Sequence, residues 1–184
     1  MIIRKIMLLG EMGVGKTSIA NRLVFDTFSG EYGVSIGSDI YQYQVEPPPG
    51  DNPFLFNVWD TDGSFGETIF KSVYIRGAHA AIIVGDVTRK HTMETMARLA
   101  VRFEEQLPGR YLCCVVNKID LLPEGEAPSL PERLVSRGLP YVTTSARTGE
   151  NVCETFATAA ETIEMFGISS VWSGWSWRAA RSAS

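Results

Sequence analysis

A single α/β domain is what the sequence predicts: a six-stranded, mostly parallel sheet with one antiparallel edge strand and helices on both faces. Three observations carry this expectation. Short apolar runs alternate with stretches of helical periodicity, the rhythm of a parallel sheet wrapped by helices. A turn at 46–53 (EPPPGDNP), whose prolines cannot donate to a ladder, separates two strand-like runs that must then pair antiparallel. The 184 residues carry no internal repeat and no linker, so they make one ordinary domain rather than two.

Residues 2–9 read as a short buried strand, followed by a glycine-rich turn and a helix from about Gly15 to Phe25. A polar, glycine-containing segment (28–37) leads to IYQYQV (40–45), whose alternation predicts a strand with two different faces. FLFNVW (54–59) pairs back on it. After a second glycine-containing loop (60–67), AAIIVGDV (80–87) is another buried strand. Met93 to Leu107 is helical, with Met96, Leu99, Ala100 and Phe103 spaced along one face. YLCCVVN (111–117) is a fifth strand, and a loop at 123–131 precedes a short helix. LPYVTTSA (139–146) supplies the sixth strand and Asn151 to Phe166 the final helix. The domain is expected to span 1–166, with a tail at 167–184.

At 45% hydrophobic and 21% charged residues, the composition excludes disordered, collagen-like and coiled-coil chains. A chain of this size buries a core without needing disulfides or a structural metal. Seventeen basic against 21 acidic residues, net −4, argue against nucleic acid as a partner. Cys113, Cys114 and Cys153 cannot pair completely and offer no four-ligand zinc spacing; the first two read as buried strand residues of a protein in a reducing compartment. The N-terminus has neither the apolar length of a membrane span nor the order of a signal peptide, so a cytoplasmic location is expected, free or peripheral to a membrane.

Residues 10–17, GEMGVGKT, match GxxxxGK[ST] between a predicted strand and a predicted helix, the context this motif requires. Its glycines let successive N–H groups turn inward towards phosphate oxygens, and the helix N-terminus adds partial positive charge. Gly13, Val14, Gly15, Lys16, Thr17 and Ser18 are therefore candidate phosphate-binding residues. Lys16 is suited to the β- and γ-phosphates, and the Thr17 hydroxyl to Mg²⁺. Asn117-Lys118-Ile119-Asp120 follows the fifth strand directly, at the edge where such sheets bind ligands. A carboxylate there accepts from both N1–H and the exocyclic amine of guanine, whereas adenine offers an acceptor at N1 and no 2-amino group. As four letters alone, NKID also reads as a surface turn.

Together with FDTFSGEYGVSIGSD, WDTDG, YIRGAHAAIIVGDVT and TSARTGENV, these motifs make the chain resemble a Ras-superfamily small GTPase, nearest the Rab branch, over residues 2–166. The resemblance implies a P-loop domain that binds GTP and GDP with Mg²⁺ and switches two segments between them. It implies that Phe28 lies beside the guanine and that Tyr32 folds over the phosphates. Asn117 would hold the base, Lys118 pack over it and Asp120 set its specificity. In Ser145-Ala146-Arg147, where the family has lysine at the last position, the Ala146 N–H would meet the guanine carbonyl. Ser35, at the family's threonine, and Asp60 would join Thr17 at Mg²⁺, and the Gly63 N–H would sense the γ-phosphate.

Two departures bear on hydrolysis. The family reads Asp-Thr-Ala-Gly-Gln where residues 60–64 read Asp-Thr-Asp-Gly-Ser. Ser64 is two heavy atoms too short to orient the attacking water as the glutamine does, so intrinsic hydrolysis is expected to be slow. Asp62 adds a carboxylate near a polyanion; it turns towards the metal, points outward, or serves as a substitute base. With negligible hydrolysis, the chain would be an interaction module held in one state. Trp59, Tyr74 and Ile40 stand where the family has an aromatic partner-binding face, although plain packing also accounts for Trp59. No cysteine follows Cys153 in these residues, so the family's C-terminal prenyl anchor is not expected. Trp172, Trp175, Trp177, Arg178 and Arg181 instead suggest a tail that folds back, meets a protein partner, or touches a membrane weakly.

Overall fold

In the computed structural model the described residues are 2–28, 38–45 and 54–166. The sheet has the order β2-β3-β1-β4-β5-β6. Strand β1 (Ile2–Leu9) lies between β3 (Phe54–Thr61) and β4 (Ala80–Asp86), parallel to both. Strands β5 (Tyr111–Asn117) and β6 (Tyr141–Thr143) continue the parallel sheet. Strand β2 (Ser38–Val45) closes the other edge antiparallel to β3, in register from Ser38 opposite Thr61 to Val45 opposite Phe54. Every residue of β4 and β5 is buried, which is why both read as unbroken apolar runs: helices cover each face.

The alternation within β1 sorts the core into two layers. Ile6 and Leu8 point to one face and pack with Ile19 and Leu23 of α1 (Lys16–Phe25) and Phe156, Ala159 and Ile163 of α4 (Val152–Phe166). Met7 and Leu9 point to the other, against Met93, Met96 and Phe103 of α2 (Lys90–Gln106) and Leu134 of α3 (Glu132–Ser136). Cys113 and Cys114 lie in these two layers as buried strand residues, and burial pushes the Cys113 thiol up to about 12. Cys153 is exposed on α4.

Three boundaries differ from those expected. Helix α2 begins at Lys90 rather than Met93, because the buried Thr92 hydroxyl accepts the Asp86 N–H (2.9 Å) and donates to Arg89 O (2.8 Å), tying the first turn to the end of β4. Strand β6 is only Tyr141–Thr143: Pro140 has no N–H to extend the ladder at its start, and after Thr144, whose N–H still donates to Val116 O (2.9 Å), the chain enters a loop closed by Gly149 N–H to Ser145 O (2.8 Å). The segment expected as loop after β3 forms 3-10 turns between Gly63 and Lys71, broken by a kink at Gly66 (φ +47°, ψ −134°), and Tyr74 sits in a further short 3-10 turn, Val73–Ile75. The carboxyl ends of the five parallel strands all open at one edge of the sheet, and there the motif residues converge.

Candidate functional site

The turn after β1 is shaped by glycine. Gly15 has φ +101°, a conformation L side chains rarely adopt, and a Cβ there would lie 2.3 Å from Asn117 Nδ2. Only glycine lets the loop close on the end of β5. Lys16 opens α1 and runs back along the loop, its buried ammonium donating to Gly10 O (3.1 Å) and Glu11 O (2.9 Å). Burial lowers its pKa, partly opposed by the carboxylates of Asp60 and Asp62. Ser18, half-buried, follows on the first turn of α1.

Thr17 donates its hydroxyl to Asp60 Oδ2, joining the start of α1 to the end of β3 across 43 residues. Asp60 is fully buried, and its other oxygen, Oδ1, has no hydrogen-bond partner among the described residues. Burial pushes the Asp60 carboxyl up, only partly opposed by the Thr17 hydrogen bond and the Lys16 charge. A buried carboxylate oxygen without a partner, next to a hydroxyl and an ammonium, is a costly arrangement that a hard divalent cation relieves. The donor set is all oxygen, so these residues fit Mg²⁺.

Asn117 ties three segments together. Its Nδ2 donates to Val14 O (2.9 Å), and its Oδ1 accepts from Thr144 Oγ1 and from Ala146 N–H, each at 3.1 Å. A base carbonyl meeting the Ala146 N–H would therefore share it with Asn117. Lys118, in the left-handed region at φ +67°, donates to Gly13 O (2.8 Å) and pairs with Asp86 Oδ2 (2.7 Å). Asp120 accepts from Ser145 Oγ (2.6 Å), and Arg147 stands 3.7 Å from its second oxygen. The family lysine's replacement by Arg147 thus puts a guanidinium beside the carboxylate expected to read the base. Phe28 is exposed at the end of the first described stretch.

Beyond β3, Asp62 Oδ1 accepts the Ser64 N–H (2.9 Å) and caps the 3-10 segment, while the Ser64 side chain is exposed. Gly63 lies against the phosphate loop: a Cβ would fall 2.3 Å from Met12 N and 2.5 Å from Glu11 C. Trp59 and Tyr74 rings are 6.2 Å apart, and Phe65 and Tyr74 rings 5.6 Å apart. Lys5 Nζ sits 3.8 Å over the Trp59 ring, whose residue pairs with exposed Ile40 on β2. Trp59 is thus half-buried packing on one side and part of an apolar surface on the other. Ser35, Tyr32 and the 167–184 tail lie outside the described residues.

Several participants carry no motif signal. Arg22 on α1 donates to Ala146 O (3.0 Å), Arg147 O (2.6 Å) and Asp26 O (3.1 Å), bracing the 144–147 loop from 124 residues away. Asp86 accepts from Thr88, Arg89 and Lys118. Glu11 accepts from Thr95 and approaches His91 Nε2 at 3.3 Å, and Arg98 links Thr95 to Glu67. Glu11, Asp86 and Thr88 lie within the GEMGVGKT and YIRGAHAAIIVGDVT segments, but nothing in local spacing marks Arg22, Arg89, Thr95 or Arg98; only the register of distant elements does.

A sequence model of the Ras family matches residues 5–165. The Ras-related protein Rab-31 of Mus musculus is 32% identical over 166 residues, which cover 89% of this chain and 84% of that protein. The Ras-related protein Rab7 of Pisum sativum is 32% identical over 168 residues, 85% of this chain and 80% of its own. The GTP-binding nuclear protein GSP1 of Encephalitozoon cuniculi (strain GB-M1) is 33% identical over 150 residues, 80% and 70% of the two chains.

Proposed function

Because the chain belongs to the Ras family, as a Rab-like small GTPase, we propose that it is a Mg²⁺-dependent GTP/GDP switch whose own hydrolysis is slow and whose 1–166 domain signals to protein partners. The observation that carries the reading is the Thr17–Asp60 pair with the unpartnered Asp60 Oδ1 beside it. Thr17 and Asp60, with Ser35 from the segment before β2, would hold Mg²⁺, which when bound neutralises charge on the β- and γ-phosphate oxygens. Lys16 binds the same phosphates, and its present bonds to Gly10 O and Glu11 O keep the ammonium aligned along the loop until they arrive. Asn117, Lys118, Asp120, Ser145, Ala146 and Arg147 bind guanine, with Phe28 at its edge and Tyr32 over the phosphates. Gly63, packed on the Glu11–Met12 backbone, reports the γ-phosphate through its N–H.

Slow hydrolysis follows from residues 62–64. Ser64 is too short to bridge water and phosphate, and Asp62 is engaged as the cap of the segment that carries it. An Asp62 base would have to work through Oδ2 while Oδ1 holds the Ser64 N–H, or give up that cap. Phe65, Tyr74, Trp59 and Ile40 form the face offered to protein effectors, exposed or hidden as the neighbouring segments respond to nucleotide. The Trp- and Arg-containing tail adds a partner contact, or a weak contact at the membrane interface, to a protein that is cytoplasmic or peripheral to a membrane. Among the described residues no helix is long and apolar enough to cross a membrane. A second reading, a GTP-binding module with negligible hydrolysis, is favoured by the same Ser64 and Asp62 geometry.

Single-turnover hydrolysis of Mg²⁺–GTP by the native protein, Ser64→Gln and Asp62→Ala separates these readings. Slow native turnover that Ser64→Gln accelerates supports the switch. Turnover at an ordinary small-GTPase rate that Asp62→Ala abolishes would overturn the assignment of Asp62 as a cap. Undetectable hydrolysis beside tight GTP binding selects the binding module.

A further inference from the structure

We propose that Arg89 is an arginine supplied by the chain itself to the phosphate site, positioned on the rim of the loop to meet the charge that grows on the γ-phosphoryl group during hydrolysis. The inference rests on the GTPase reading above and adds to it a residue that would partly offset the loss of the glutamine, leaving hydrolysis slow rather than absent. Arg89 follows β4 and precedes α2, so its backbone is held between two regular elements. Its Nη2 donates to Met12 O at 3.0 Å and its Nε to Asp86 Oδ2 at 2.9 Å, which lays the guanidinium across the phosphate loop. The guanidinium lies over Gly13: a Cβ at that position would be in ordinary van der Waals contact with it, 3.4 Å from Nη2 and 3.8 Å from Nη1. Nη1 has no hydrogen bond among the described residues, and the side chain is 35% exposed, so one donor pair is uncommitted beside the loop.

A purely structural role explains this arrangement less well. Asp86 already receives the Thr88 N–H (2.9 Å), the Thr88 hydroxyl (2.7 Å) and the Lys118 ammonium (2.7 Å), so it is neutralised and hydrogen-bonded without Arg89. What Arg89 adds is a third cation at the loop, beside the ammonium groups of Lys16 on Gly10 O and Glu11 O and of Lys118 on Gly13 O. Guanidinium is planar, always charged and weakly hydrated, which suits it to a dispersed phosphoryl charge. In this class of reaction an arginine in cis or in trans adds roughly 10³–10⁵ in rate. Ser64 is neutral and Asp62 has the wrong sign for that task; with Lys16 assigned to the phosphates and Lys118 to the base, Arg89 is the remaining cation bonded to the loop among the described residues.

The step itself is ordinary hydrolysis. Water adds to the γ-phosphorus as the bond to the β–γ bridging oxygen breaks, giving GDP and inorganic phosphate. The water's proton leaves with the phosphate, and Arg89 stays protonated throughout, stabilising charge without exchanging a proton.

The test compares native protein, Arg89→Ala and Arg89→Lys in three measurements: single-turnover hydrolysis of Mg²⁺–GTP, GDP affinity, and capture of aluminium fluoride by the GDP-bound protein as a transition-state mimic. The expected result is that Arg89→Ala loses roughly 10²-fold or more in rate, the scale of one preorganised donor, with GDP affinity nearly unchanged. Aluminium fluoride capture should fall in parallel, Arg89→Lys should recover only part of it, and added guanidinium ion should partly restore the alanine variant's rate. Equal rates for native and Arg89→Ala would overturn the proposal. So would a loss of rate matched by an equal loss of GDP affinity and thermal stability, since that is the signature of a brace. If the native protein binds GDP but neither hydrolyses GTP nor captures aluminium fluoride, Arg89 has no such role while nucleotide binding stands. If it does not bind GDP at all, the underlying functional reading fails as well.

Discussion

Replacing Asn117 with alanine removes one amide and breaks three contacts between segments that meet nowhere else in the sequence. Asn117 Nδ2 donates to Val14 O at 2.9 Å, and Oδ1 accepts from Thr144 Oγ1 and Ala146 N–H at 3.1 Å each. Val14, Asn117, Thr144 and Ala146 are all at most 3% exposed, so the carbonyl, hydroxyl and N–H left behind have no ready access to water. Each buried polar group stripped of its partner costs about 1–3 kcal/mol. Allowing for partial relaxation, the sum is roughly 3–6 kcal/mol, a large part of the ~5–15 kcal/mol that holds a domain folded. The amide also packs directly against Gly15, so its removal leaves a hole beneath the phosphate loop. The measurement is urea unfolding followed by circular dichroism, run without nucleotide and with EDTA, so that loss of ligand binding does not contribute. Asn117→Asp provides the control: ionised, it keeps the acceptor for Thr144 and Ala146 and loses the donor to Val14, whereas protonated at low pH its O–H can donate to Val14 O, so there it should lie between native and alanine. A loss below about 1 kcal/mol for Asn117→Ala would refute the reasoning, since it would mean that these buried groups find other partners.

Three further outcomes are expected. Asp86→Asn should destabilise the protein at neutral pH by about 1.5–3 kcal/mol per charged hydrogen bond weakened, because Lys118 and Arg89 both lose their counter-ion. Burial would raise the Asp86 pKa, but the donors Lys118, Thr88 and Arg89 more than offset it and hold the carboxyl below the usual range. Its contribution is therefore present above the ordinary aspartate pKa and is lost as pH falls through the depressed folded value; unfolding free energy against pH should show that acid loss in the native protein and a flatter profile in Asp86→Asn. Gly63→Ala puts a methyl 2.3 Å from Met12 N, against backbone that cannot move aside cheaply, so the ratio of GTP to GDP affinity should fall; an unchanged ratio in equilibrium titration would count against the role given to Gly63. Asp120→Asn should move base preference from guanine towards xanthine nucleotides, read as competition between GDP and XDP, and unchanged guanine selectivity would undo the base assignment.

What local chemistry controls was readable in the chain itself. The phosphate loop announces itself because glycine, lysine and threonine at fixed spacing after an apolar run serve a backbone need that does not depend on distant residues. Strands β4 and β5 are legible for a similar reason: both faces are covered, so every position is apolar. NKID and TSA are informative only through their place after strands. The boundaries that shifted did so under tertiary influence, with the Thr92 hydroxyl drawing α2 to an earlier start and Asp62 turning an expected loop into a capped 3-10 segment. The pairing of Thr17 with Asp60 across 43 residues, the three-way tie at Asn117, the Arg22 brace and the position of Arg89 on Gly13 and Met12 depend on which strand lies beside which. Sequence alone determined the fold class and the chemistry of the loop, because backbone conformation and hydrophobic period are local properties. Tertiary structure decided which charges meet and which buried oxygen is left without a partner among the described residues, because those depend on the order in which six strands are laid side by side.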